Sequence, residues 1–151
     1  MNALKLLKDD HAKVAELFEE FKADEDGYHA RLFERIHAEL EVHAHIEETI
    51  FYPKIKAEGN EELQEIVLEG IEEHRQIKMF LAELEALVEN SEKFNPKLKV
   101  LIEDVEHHVE EEEGEMFPLI ENQLEETALE ELGAELDAEK AKVKKSSAAS
   151  G

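Results

Sequence analysis

His43-Ala44-His45-Ile46-Glu47-Glu48-Thr49-Ile50-Phe51-Tyr52-Pro53 and His108-Val109-Glu110-Glu111-Glu112-Glu113-Gly114-Glu115-Met116-Phe117-Pro118 share one plan. Each reads histidine, glutamate four places on, a second glutamate, then a bulky apolar residue, an aromatic and proline. Residues four apart stack on one face of a helix, so each stretch presents a histidine and a glutamate side by side. A second pair also repeats: Asp10-His11-Ala12-Lys13-Val14 and Glu73-His74-Arg75-Gln76-Ile77. The chain therefore reads as two helix hairpins of similar plan, which a bundle would pair about an approximate two-fold axis.

Working outward, four long amphipathic patterns appear. The first covers residues 3–23, with Leu4, Leu7, Val14, Phe18 and Phe21 inward, and ends at Asp24-Glu25-Asp26-Gly27. The second covers 28–56, with Leu32, Ile36, Leu40, Ile50 and Phe51 inward and Pro53 expected to kink it. Gly59-Asn60 makes the next turn. The third covers 61–89, with Val67, Gly70, Ile77, Leu81, Leu84 and Val88 inward. After a loop from Asn90 to Asn95, Pro96 opens the fourth, which buries Leu98, Leu101, Val105 and Met116. A shorter acidic helix is expected over about 125–144. No strand pattern competes, and short connections imply an all-α, antiparallel up-down-up-down four-helix bundle with a short C-terminal helix. The expected organisation is a bundle over 1–122, a helical extension over 123–145 and a disordered tail over 146–151.

The apolar stripes are interrupted at matching levels. His11 stands in the first, His43 and Glu47 in the second, His74 in the third, and His108 and Glu112 in the fourth. A buried carboxylate without a partner costs several kcal/mol or takes up a proton. Two carboxylates and four imidazoles converging in one core need compensation, which bound metal supplies. This donor set suits iron, manganese or zinc, with copper possible.

The remaining histidines read differently. His45, His29 and His107 are expected at the surface. His37 lies in an E-x-x-H match, Glu34 to His37, that is out of phase with the cluster and reads as chance. Phe51, Met116, Leu7 and Leu81 are expected to wall the site. Tyr52 is expected to point away from it unless Pro53 distorts the helix. The acidic runs Glu110 to Glu113 and Glu125-Glu126 read as solvated faces, apart from Glu112.

Composition narrows the function classes. With 17 basic against 40 acidic residues the formal charge is −23, which repels nucleic acid and anionic lipid. No cysteine is present, which excludes disulfides and thiolate metal sites. No apolar run approaches transmembrane length and no signal-peptide core follows Met1, so the expected location is the cytoplasm.

The two H-x-x-x-E-E stretches and the paired Asp10-His11 and Glu73-His74 resemble the hemerythrin-like, or HHE cation-binding, family, over about residues 4–120. The resemblance implies metal ligands at His11, His43, Glu47, His74, His108 and Glu112. It also implies two non-haem iron ions bridged by the carboxylates and by an oxo or hydroxo group, with zinc or manganese as alternatives. Oxygen-carrying members use a fifth histidine where this chain has Lys78, and an aspartate where it has Glu113. Glu112 is preferred as the ligand because it repeats the spacing of Glu47; Glu113 stays open. Lys78 is either a solvent-reaching side chain or a group close to bound peroxide. Two roughly octahedral ions need about twelve donor positions, of which about two stay open here. The expected function is binding of O2 or a related small ligand, peroxide or nitric oxide, with peroxide decomposition as one form. The alternatives are a non-enzymatic iron or oxygen sensor and a metal-stabilised structural bundle. The expected partner is thus a small molecule, with no nucleic acid or membrane, and the oligomeric state stays open.

Overall fold

Asn2 and Asn60 open two of the long helices by the same device. The Asn2 side chain accepts from the backbone N–H groups of Leu4 and Lys5 at 2.7 and 3.2 Å, and that of Asn60 from Leu63 at 3.0 Å. Such caps satisfy donors that the first helical turn leaves unpaired. The structure is a computed structural model and describes residues 1–88 and 91–150, the last four as backbone only. Its elements are α1 (Ala3–Lys22), α2 (Ala30–Ile46), α3 (Tyr52–Glu58), α4 (Glu61–Ala86), α5 (Phe94–Glu111), α6 (Phe117–Gln123) and α7 (Glu126–Ser150). Single π-helical turns, Glu47–Phe51 and Glu112–Met116, join α2 to α3 and α5 to α6.

Four antiparallel rods result: α1, α2 with α3, α4, and α5 with α6. Each π turn ends two residues before a proline, Pro53 or Pro118, which is the second residue of the helix that follows. Proline has no N–H to give to the carbonyl four residues back. The chain widens there instead, so that Tyr52 N–H bonds Glu47 C=O and Phe117 N–H bonds Glu112 C=O, each five residues back. A π turn adds about one residue to the α repeat and rotates everything after it.

The expected inward residues are buried, with two exceptions. Ile50 is only partly covered, and Val88 is exposed because α4 ends at Ala86 and Leu87 already turns into extended backbone. Residues 89 and 90, where that helix and the following loop were expected to meet, lie outside the described residues. The apolar side chains form two clusters. One holds Leu7, Phe51, Ile55, Met116, Phe117 and Ile120 near the prolines; the other holds Phe18, Phe33, Ile36, Leu84, Leu98 and Leu101 toward the other end. The polar residues of the stripes lie between them.

The C-terminal helix is longer than the sequence suggested, 25 residues, and it belongs to the core. Leu129, Leu132 and Leu136 are buried in the cluster that also contains Leu4 and Leu7. A Cβ at Gly133 would collide with the backbone of Met1 and Asn2, so only glycine lets α7 lie this close to the chain start. The helix runs as far as Ser150, through the stretch expected to be a disordered tail. The side chains of 147–150 and residue 151 lie outside the described residues. Leu132→Ala is expected to destabilise the chain by about 2–5 kcal/mol, as for other buried leucines. Denaturant unfolding checks this; an unchanged midpoint would mean that α7 does not contribute to the core. Among the described residues no helix is long and apolar enough to cross a membrane.

Candidate metal centre

The structure brings His11, His43, Glu47, His74, His108 and Glu112 together in two overlapping groups. His11, His43, Glu47 and Glu112 form one; Glu47, His74, His108 and Glu112 form the other. Both glutamates are common to both groups, and neither is accessible to solvent beyond 1%. Glu47 Oε1 lies 3.0 Å from His43 Nε2 and 3.1 Å from His74 Nε2. Glu112 presents Oε1 to His11 Nε2 and Oε2 to His108 Nε2, each at 3.2 Å.

The outer nitrogens of the four rings are all engaged by carboxylates. His11 Nδ1 is 2.6 Å from Glu113, His43 Nδ1 3.1 Å from Asp10, His74 Nδ1 2.9 Å from Glu48, and His108 Nδ1 2.7 Å from Glu73. The partners run around the bundle in one sense: the first rod holds the histidine of the second, the second that of the third, the third that of the fourth, and the fourth that of the first. This explains both repeats. In H-x-x-x-E-E the first glutamate enters the centre and the second grips the next rod's imidazole. In Asp10-His11 and Glu73-His74 the acid preceding the histidine does the same. Such outer carboxylates set the tautomer and orientation of imidazole ligands.

His74 and His108 Nε2 contact each other at 3.2 Å, but five inner atoms are left without a partner. His11 Nε2, His43 Nε2, both oxygens of Glu47 and Glu112 Oε1 are buried without a hydrogen-bond partner. They lie close, at the distances above, but not at hydrogen-bonding angles, as expected of atoms aimed at common points between them. Buried polar atoms are almost always paired. Two carboxylates and two imidazoles left this way, beside the paired His74 and His108, fit metal cations with nitrogen and oxygen ligands.

Without metal, charge of the opposite sign moves onto the rings. Burial alone would lower the His43 pKa, but Glu47 and Asp10 outweigh it and push it to about 10. His108 is likewise disfavoured by burial, yet Glu112 and Glu73 carry it to about 11, and His74 is raised by Glu47 and Glu48. Burial opposes the ionised form of Glu112, but His108 and His11 hold it well below the usual carboxylate range. Glu48 falls to about 2, chiefly through His74, with Lys78 assisting.

The placement of Tyr52 turned on Pro53. It was expected to face away unless that proline distorted the helix; the π turn is such a distortion, it rotates Tyr52 inward, and the ring is buried. Its hydroxyl donates to Glu112 Oε2 at 2.6 Å and lies 3.3 and 3.4 Å from His74 and His108 Nε2. Burial, then the Glu47 and Glu112 charges, raise its pKa well above the ordinary phenol value, so the proton stays on oxygen. Gly70 makes room for it: a Cβ there would stand 3.2 Å from the hydroxyl. In the second hairpin the matching position is Phe117, which stacks on His11 at 6.2 Å. The two groups are therefore unequal: among the described residues a hydroxyl lies beside the histidines of the His74/His108 group alone.

The other expectations divide. Glu113 lies outside the centre, on His11. Lys78 reaches solvent and bonds Glu48 at 2.5 Å, so it touches the centre only through Glu48 and His74. His107 is exposed and paired with Glu111. His29, expected at the surface, is buried against Phe21 and bonds the Asp24 carbonyl at 2.6 Å, because the turn after α1 folds back over it. His45 is half-exposed at the surface as expected, where Glu139 of α7 lies 2.9 Å from its Nε2. His37 stacks on Phe33 and pairs with Glu41, away from the cluster. Phe51 packs between Tyr52 and Phe117. Lys140 of α7 bonds Asp10, which in turn holds His43; burial raises the Asp10 pKa, but His43 and Lys140 bring it down to about 2.

Comparison with known proteins points the same way. The profile of the Hemerythrin HHE cation binding domain matches residues 2–120. A protein named DNA nickase from Nostoc sp. is 29% identical over 145 residues, 95% of this chain and 40% of its own length. An uncharacterized hemerythrin-like protein from Schizosaccharomyces pombe is 30% identical over 118 residues, 78% of this chain and 58% of its own. This chain thus spans about half the length of these curated relatives. The crystal structure of a hemerythrin HHE cation binding domain-containing protein from Mycobacterium kansasii superposes with a TM-score of 0.81 at 25% identity, covering 97% of this chain and 89% of that one. With a helical bundle that carries its histidines and glutamates at these positions, the chain belongs to the Hemerythrin HHE cation binding domain family.

Proposed function

We propose that the chain is a non-haem di-iron protein that binds O2 or a related small ligand, peroxide or nitric oxide, with His11, His43, Glu47, His74, His108 and Glu112 as metal ligands. The observation that carries this reading is the set of buried, unbonded donor atoms shared between two groups through Glu47 and Glu112. Bound iron would supply electrons and open coordination positions for the small ligand. The protein's own part is to hold four imidazoles by their outer nitrogens, keep a proton on the Tyr52 oxygen beside Glu112, and exclude water with Phe51, Met116 and Phe117. A sensor is the second reading, and the Lys140–Asp10–His43 chain favours it, because it ties one ligand to the seating of α7. Nicking of DNA, named for the Nostoc relative, is not part of the proposal: a formal charge of −23 repels a polyanion.

The test is metal analysis and the ultraviolet-visible spectrum of protein purified without added metal, followed by dithionite, O2 and peroxide in turn. Iron at both positions, with bands that respond to O2 or peroxide, supports the proposal. Zinc alone, or no metal, overturns it. Tyr52→Phe is expected to keep the fold and the metal content while shifting those bands, since Glu112 loses the donor at 2.6 Å. Unchanged bands would show that the phenol exerts no influence on the metals.

A further inference from the structure

The second rod stays close to α4 only over its later half. There α3 packs against α4. Before the π turn, α2 and α4 stand apart and form opposite walls of a cavity of about 460 Å³. Its inner end is made by His11, His43, His74 and His108, and its sides by Val14, Leu40, Ile77, Leu81 and Val105. Along α4 it extends from His74 to Glu85, about 16 Å at the helical rise per residue. A diatomic or peroxide needs the volume of one or two waters, roughly 30–60 Å³. Sites for small organic molecules run from roughly 300 to 1,000 Å³, with apolar walls and a few polar groups that fix orientation. The space in front of the histidines is of that second kind.

Charge is divided along the cavity. The rim carries Glu41, Glu48 and Glu85 against Lys78, whose ammonium is already taken up by Glu48. The four imidazoles and any cation they hold lie at the other end, so the rim does not decide the charge of a group seated there. We infer that this cavity binds a medium-chain aliphatic molecule with one oxygen-bearing end, that end lying at the four histidines and the chain between α2 and α4. The inference rests on the proposed metal site only for what happens at the oxygen-bearing end; binding of the chain is a property of the walls.

Calorimetric titration of the purified, metal-loaded protein with butanol, hexanol and octanol tests it. The expected result is saturable binding of the alcohols, tighter by about fourfold for each added methylene. Ala44→Phe on one wall and Ala82→Phe on the other are each expected to weaken octanol at least ~10-fold by filling the space. Absence of saturable binding, an affinity that ignores chain length, or full octanol affinity in both variants would overturn the inference. Metal content and the spectral response to O2 and peroxide are recorded on the same preparation. A normal response without alcohol binding sinks this inference and spares the metal reading; alcohol binding without metal supports the cavity and sinks the metal reading.

Discussion

Replacing Glu47 with glutamine is expected to empty both ion positions at once. One oxygen of Glu47 lies 3.0 Å from the inner nitrogen of His43 and 3.1 Å from that of His74, and these two histidines belong to different groups. Glutamine keeps the size of the side chain and removes its charge, leaving a single carboxylate, Glu112, to face four imidazoles. Loss of an outer partner such as Asp10 should weaken metal binding about 10–100-fold, and mainly at the His43 position. Glu47→Gln should exceed that loss and should not discriminate between positions. Metal per chain, measured after dialysis against buffered free iron and alongside a far-ultraviolet check of helix content, separates the two. A Glu47→Gln protein that retains its parent's metal would show that Glu47 is not a ligand.

Stripping the metal should destabilise the chain, and the penalty should grow with pH. In the metal-free protein His43 and His108 have folded-state pKa values of about 10 and about 11 against an ordinary 6.5, and His74 is also raised. Their contribution is therefore complete below pH 6.5 and is lost as pH rises through those higher values. Asp10 and Glu48 behave oppositely: both are lowered to about 2, so their contribution is present above their ordinary values of 3.8 and 4.5 and is lost as pH falls toward 2. The metal-free chain should then be most stable between pH 4.5 and 6.5. Metal requires neutral imidazoles and displaces their protons, so its affinity rises with pH. An ion present at about a thousandfold excess over its Kd adds about 4 kcal/mol, or roughly 8–16 °C in Tm for a chain of this size. Melting curves with and without a chelator at about pH 6 and about pH 8 should show a gap in Tm that widens at the higher pH. A gap that is constant or narrows would contradict the assigned proton traffic.

The positions of the six central residues were legible because each interrupts an apolar stripe of helical period. His11 follows Leu4 and Leu7, and His74 follows Val67 and Gly70, at spacings that leave no other face for them. The outer carboxylates carried the same signal in a weaker form. Asp10, Glu48, Glu73 and Glu113 each adjoin a central residue, but in a chain with 40 acidic residues an acid next to a histidine does not stand out. The face of Tyr52 depended on whether the α repeat runs unbroken past Glu47, and the proline that follows shifts that repeat by one residue. The recurrence of aromatic-proline five and six places after both glutamates was the available clue. The burial of His29 had no periodic signature, since it arises from a carbonyl in a turn. In α7 the spacing of Leu129, Leu132 and Leu136 announces a buried stripe, while the long acidic faces on either side conceal it.

The one-way sequence of carboxylate grips around the bundle also has a consequence for a chain that emerges from its N-terminus. His43 receives Asp10 from a segment already made, and both lie in the first hairpin. His74 finds Glu48 as soon as the third rod docks. His11, among the earliest of the six to appear, waits longest: its holder, Glu113, is separated from it by 102 positions. An unfinished chain thus has histidines in number but not in orientation. Firm capture of a cation would be deferred until the fourth rod closes, so that the choice of metal would fall to a bundle with all four rods in place.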